Sequence, residues 1–236
     1  DGPCAEGTKI FKRNGWYYLF IPEGGVESGW QTACRSRSIY GPYESKKVLQ
    51  QGTTSINGPH QGGLVDLENG ESWFIHFQSA GAIGRICHLQ PVKWVDDWPQ
   101  IGINNEPVLS YTKPNVNGTY PISVPQTSDE FTGPELGLQW QTNHNPVDSM
   151  FSLTERPGFL RIKASMASDI FRAPNTMTQK IMGRKGEAII SLHVNGMENG
   201  QTAGLTIMND RFSWIVVEKS SGSFYVKASI DGEVTT

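Results

Sequence analysis

Asp-Gly-Pro-Cys-Ala-Glu-Gly-Thr-Lys-Ile-Phe-Lys-Arg-Asn-Gly-Trp-Tyr-Tyr-Leu-Phe-Ile-Pro-Glu-Gly-Gly, residues 1–25, sets the reading of the whole chain. Lys9 to Lys12 and Trp16 to Ile21 are strand-like, rich in aromatic and β-branched residues. The Asn14-Gly15 pair between them tolerates positive φ at both positions and so predicts a tight primed turn, hence a hairpin. Just ahead of it, Ala5-Glu6-Gly7 places one carboxylate on a glycine-flanked turn. A carboxylate at the mouth of a rigid sheet suits proton transfer, although the same pattern describes an ordinary solvated surface turn.

Outward from that hairpin, to about Tyr111, short β-rich runs alternate with Gly, Asn, Asp and Pro turns, and nothing sustains a helical period. Leu64 to Leu67, a Glu68-Asn69-Gly70-Glu71 turn and Ser72 to Gln78 read as strand, turn and strand; Arg85 to Leu89 supplies another. Asp96-Asp97 reads as a turn pair, with Pro99 and Gly102 marking a loop. The chain is therefore all-β here, and its strand lengths suit the blades of a propeller or the sheets of a sandwich equally.

From Thr112 to Ser128 three prolines and a glycine without periodicity predict an extended linker, residues 113–127. A second domain, 128–236, opens at Asp129-Glu130-Phe131. Its predicted strands are Phe159 to Ala164, Glu187 to Val194, Thr202 to Met208, Trp214 to Glu218 and Ser223 to Ile230, the pattern of an antiparallel sandwich with Trp140 and Trp214 in its core.

Composition removes several functions. The 236 residues are 37% hydrophobic and 18% charged, enough apolar material for real cores, and a net charge of −3 spreads no basic field. Nucleic acid and anionic membrane are excluded as partners on that ground, and no apolar run approaches a membrane span. Cys4, Cys34 and Cys87 have no metal-ligand spacing and read as buried free thiols.

Ala5-Glu6-Gly7, the Tyr-rich hairpin and Glu23-Gly24-Gly25 resemble glycoside hydrolase family 43, the β-xylosidases and α-L-arabinofuranosidases. Ser36 to Glu44, Asn57 to Gly63 and Gly84 to Trp94 resemble the same family in the same order. Ser128-Asp129-Glu130-Phe131, Leu138-Gln139-Trp140-Gln141 and Leu153 to Gly158 resemble the concanavalin-A-like sandwich that follows the catalytic domain in one branch of it. The resemblance implies a five-bladed β-propeller, of which 1–112 is the C-terminal part, then an antiparallel β-sandwich that is itself short at its C-terminus. A blade of four short strands takes on the order of 50 residues, so only about the second half of such a propeller is expected. The expected consequence is an inactive, marginally folded fragment.

By the same resemblance, Glu6 is the general acid that protonates the leaving oxygen, while a general-base Asp and a pKa-tuning Asp lie upstream of its motif. The substrates implied are xylo- or arabino-oligosaccharides, cleaved at the terminal pentose with inversion. Arg85 matches the arginine of the terminal sugar subsite, where a guanidinium fork can hold hydroxyls and carboxylates. Its residue-level alternative is a surface ion pair. His60 matches the histidine near the propeller axis, facing the site or a central calcium through water; read alone it is a histidine satisfied by backbone. The metal stays open, because Ca²⁺ prefers oxygen ligands, and the chemistry itself requires no cofactor.

Trp30 and Gln31, beyond the Gly-Gly turn, are candidates for stacking on a sugar and binding its hydroxyls, with core packing as the alternative for the tryptophan. Val26 departs from the threonine frequent in xylosidase-like members, which leaves the preferred pentose open. His76 and His88 alternate with apolar residues and read as structural. The rival function is a non-catalytic carbohydrate-binding protein in which the sandwich does the binding.

Overall fold

Two hairpins that turn on paired positive-φ residues build the first part of the structure, a computed structural model that describes residues 2–236. Asn14 (φ 49°) and Gly15 (φ 73°) join β1 (Lys9–Arg13) to β2 (Trp16–Glu23), so the primed turn predicted for this pair is present. A four-residue helix α1 (Gly25–Ser28) leads to β3 (Trp30–Ser36), then β4 (Glu44–Leu49); the four strands form one antiparallel sheet in sequence order. The second sheet repeats the pattern with β5 (His60–Asp66), β6 (Ser72–Ser79), β7 (Arg85–Val95) and β8 (Trp98–Ile101). These are two blades of a propeller.

Burial along β2 alternates, with Tyr18 and Phe20 fully inside, because period-2 side chains point to opposite faces of a strand. The core lies between the blades: Tyr18, Phe20, Ala33, Val48 and Leu49 from the first meet Phe74, Trp98 and Ile101 from the second. Phe20 and Phe74 stack at 5.9 Å, and burying each ring contributes on the order of 2–3 kcal/mol. Polar bonds lock the far end of the pair. Tyr18 donates its hydroxyl to the Asp97 carbonyl at 2.6 Å, and Trp16 Nε1 donates to the Asp97 carboxylate at 3.0 Å. Hydrogen bonds from Trp16 and Asn14, with nearby Arg37 and Arg35, hold that carboxyl below its ordinary range.

Two expectations are corrected in this part. Pro99 sits within a strand, not a loop: β8 pairs only with β7, and an edge strand tolerates a residue without an N–H. The cysteines are free, but Cys4 and Cys87 are exposed and Cys34 half-buried. Cys87 is exposed because it shares a face of its sheet with Ile75 and Leu89, which are 46% and 44% exposed.

The chain divides into units Asp1–Pro121 and Ile122–Thr236. In the second, β9 (Gln141–Thr142) pairs with β12 (Met177–Thr178), and β10 (Phe151–Ser152) with β11 (Arg161–Ile162). Its main sheet is β13 (Thr202–Met208), β14 (Phe212–Ser220), β15 (Ser223–Ile230) and β16 (Glu233–Thr235), in that order and antiparallel. The strand expected over Phe159 to Ala164 is only Arg161–Ile162, and residues 187–194 form none. Ile189 there is 84% exposed: a β-branched run becomes a strand only where a neighbour completes its ladder. Trp140 and Trp214 are half-buried and not core. Trp140 Nε1 donates to Asp129 at 2.9 Å, and the other Asp129 oxygen accepts from the Phe131 N–H, so this acid closes the opening turn of the unit. Among the described residues no helix is long and apolar enough to cross a membrane.

Candidate active site

Strand direction decides which ends can form a site. The Asn14-Gly15 and Asp96-Asp97 turns share one end of the two blades, since Trp16 and Tyr18 bond to Asp97. Glu6, the β2–β3 connection, the start of β5 and the β6–β7 connection lie at the other end. The Glu6 N–H donates to the Pro22 carbonyl at 3.2 Å, which hangs the acid beside the exit of β2.

Glu6 is exposed, and Gln61 Nε2 donates to its Oε1. Gln61 reaches it through a break in strand pairing: the β5–β6 register shifts between His60 and Gly63, and Gln61 has φ 54°. Such a bulge re-aims a side chain, and an αL conformation at a non-glycine residue marks a position the surroundings enforce. Gly62 permits it, since a Cβ there would overlap the Ile75 carbonyl and the Phe74 ring.

His60 is fully buried. Its Nδ1 donates to the Gly58 carbonyl at 2.7 Å, and its Nε2 is buried with no protein partner. An orphaned buried ring nitrogen calls for a partner such as a hydroxyl or water. Among the described residues there is no group of three His, Cys, Asp or Glu that could hold a metal ion.

Arg85 opens β7 in an exposed position, its guanidinium 4.8 Å from the Phe77 ring centroid. The His60 ring lies 5.4 Å from the same phenyl group, so the two candidates share Phe77 as a neighbour. Arg85 makes none of the salt bridges found among the described residues, leaving its fork for another partner.

Trp30 and Gln31 are more committed. Trp30 Nε1 donates to Glu23 and Thr32, each at 3.2 Å, and Lys47 Nζ sits 4.1 Å from its ring centroid. Gln31 is buried, with Nε2 3.4 Å from the Thr32 carbonyl and Oε1 unpartnered. His76 is buried and neutral in its role: Val108 N–H donates to Gln90 Oε1, Gln90 Nε2 donates to His76 Nε2, and His76 Nδ1 donates to the Phe77 carbonyl. Burial pushes its pKa down to about 4, against the pull of the Phe77 carbonyl and with small additions from His88 and His60.

Sequence reasoning missed Gln61, and with it Glu27, whose carboxylate accepts from Asn57 Nδ2 at 3.0 Å and Ser79 Oγ at 2.6 Å. The Gly62-Gly63 pair behind Gln61 was the available signal for a bulge. Nothing local marks Glu27, because both its partners come from the other blade.

Residues 1–99 match glycosyl hydrolases family 43, and residues 128–232 match the beta xylosidase C-terminal concanavalin A-like domain. A provisionally named beta-xylosidase of Xylanibacter ruminicola is 50% identical over 203 residues, covering 83% of this chain and 38% of that protein. A non-reducing end alpha-L-arabinofuranosidase of Bacteroides ovatus is 32% identical over 178 residues, covering 70% of this chain and 34% of that protein. Among solved structures, a bifunctional GH43-CE protein of Bacteroides eggerthii superposes with a TM-score of 0.79 at 34% identity, over 98% of this chain and 30% of that one. The chain thus spans well under half the length of these relatives.

Proposed function

The chain belongs to glycosyl hydrolases family 43, with that family's concanavalin A-like domain behind it, and from this premise we propose that the full-length protein removes terminal xylose or arabinose from plant-polysaccharide oligosaccharides. The observation that carries the reading is the gathering of Glu6, Gln61, His60 and Arg85 at one end of two blades, with a bulge aiming Gln61 at the acid and Phe77 in contact range of both His60 and Arg85.

In this reading Glu6 delivers a proton to the departing glycosidic oxygen, which would otherwise leave as a high-energy alkoxide. Water attacks from the opposite face, activated by an Asp that the family resemblance puts ahead of the Ala5-Glu6-Gly7 motif. Inversion asks for a separation of roughly 6.5–9.5 Å between acid and base, room for that water. Arg85 holds hydroxyls of the terminal pentose, and the unpartnered Nε2 of His60 bonds a hydroxyl or an ordered water. Gln31 and Trp30 shape the wall behind them. The chemistry draws on no cofactor, and a calcium ion, where bound, is structural.

The test is hydrolysis of xylo- and arabino-oligosaccharides by the full-length protein, with the anomeric configuration of the first-formed product followed by NMR. Release of the inverted pentose is expected. Retention of configuration would overturn the inverting mechanism, and tight oligosaccharide binding without release would favour a binding protein.

A further inference from the structure

We propose that Glu27 is a positioning residue for pentoside cleavage, holding the segments that carry His60 and Arg85 in register with the loop beside Glu6; this rests on the reading of the site given above. Glu27 lies in α1, directly after the strand whose Pro22 carbonyl anchors Glu6. One carboxylate oxygen accepts from Asn57 Nδ2 at 3.0 Å, the other from Ser79 Oγ at 2.6 Å. These partners are not incidental. Asn57 begins the Asn-Gly-Pro-His segment that ends at His60, and Ser79 is the β6 residue whose register partner on β7 is Arg85.

A single side chain of the first blade therefore grips both functional segments of the second. The backbones beneath it are fitted to each other. A Cβ on Gly58 would overlap the Val26 carbonyl, and one on Gly29 would lie 3.0 Å from His60 Cδ2 and 2.6 Å from the Glu23 carbonyl. Gly58 is also the residue whose carbonyl accepts from His60 Nδ1. A shift of α1 would thus be transmitted to His60 through direct contact, and to Arg85 through Ser79. Among the described residues Asn57 makes its side-chain hydrogen bond to Glu27, while its buried Oδ1 has no protein partner.

Glu27 is itself exposed, so its bonds add little to global stability. Their effect is local placement, where small displacements at a reacting centre have large kinetic consequences.

The experiment is steady-state kinetics on the full-length enzyme with Glu27→Ala, Glu27→Gln, Ser79→Ala, Arg85→Ala and the Glu27→Ala/Arg85→Ala double variant, alongside thermal melts. Glu27→Ala should lower kcat/KM for a pentoside by about tenfold, with KM raised, while the melting temperature barely moves. Glu27→Gln, which can still accept from Asn57 and donate to the serine hydroxyl, should recover most of the loss. Ser79→Ala should reproduce part of it. In the Arg85→Ala background Glu27→Ala should cost much less than it does alone, since residues that act through one another are not additive. A merely structural role would lower the amount of active enzyme and leave KM unchanged, and full additivity would likewise overturn the proposal. If Arg85→Ala itself left KM unchanged, the reading of the site would fail; if only the Glu27 variants did so, the positioning role alone would fail.

Discussion

Gln61 donates its side-chain amide to Oε1 of Glu6 across 55 residues of sequence, joining the start of one blade to the turn that opens the other. The bond orients one carboxylate oxygen, and in the function proposed above the other oxygen faces the leaving group.

Gln61→Ala should therefore impair protonation more than binding. In the full-length enzyme, kcat on an unactivated xylo- or arabino-oligosaccharide is expected to fall about tenfold, near 1.4 kcal/mol, within the range for an ordinary intramolecular hydrogen bond. An aryl glycoside with a good leaving group should lose less. Equal losses on the two substrates would show that Gln61 serves binding alone.

Glu6→Ala carries the same logic to its limit. A sugar alkoxide needs a proton to depart, whereas a phenolate of low pKa does so with little help, so oligosaccharide cleavage should vanish while activated aryl glycosides retain measurable turnover. The comparison of kcat on the two substrate classes decides it: a parallel collapse would mean that Glu6 only positions substrate.

His76 predicts acid sensitivity. Its folded pKa of about 4 lies below the ordinary 6.5, so between these values the unfolded chain binds a proton that the folded chain refuses. Stability from this group is fully present above about pH 6.5 and is lost as the pH falls to about 4, on the order of 3 kcal/mol in all. Urea unfolding across that window should show the slope, and His76→Gln should flatten it. His88, also lowered by burial, leaves a smaller slope of the same sign. An unaltered slope in the variant would remove His76 as the cause.

Gly62 and Gly63 are neighbours with opposite tolerances. A Cβ on Gly62 would overlap the Ile75 carbonyl and the Phe74 ring of the core, whereas one on Gly63 would meet Ile75 Cγ2 at 3.9 Å, an ordinary contact. Gly62→Ala should cost about 2–3 kcal/mol, as overpacking does, and Gly63→Ala should change stability by less than about 1 kcal/mol. Denaturant midpoints of the two variants, compared with the parent, check the pair.

What the sequence determined by itself is what neighbouring residues enforce on one another. Asn14-Gly15 permits two consecutive positive φ angles and so dictates a hairpin, whereas Trp16 to Ile21 is apolar throughout and does not by itself say which side chains of β2 face inward. The Glu6 motif, His60 and Arg85 were legible as ordered family motifs, which also made the two domain types readable. The tertiary structure alone decided the rest. Whether Glu187 to Val194 forms a strand depends on a partner lying elsewhere in the chain, and Pro99 stands in a strand because its neighbour on β7 leaves it at an edge. The bulge that turns Gln61 toward Glu6, the grip of Glu27 on Asn57 and Ser79, and the burial that orphans His60 Nε2 all join residues remote in sequence. Backbone preference is local, but hydrogen-bond partnership and desolvation are fixed only when the two blades pack, so the residues that orient the acid became visible only then.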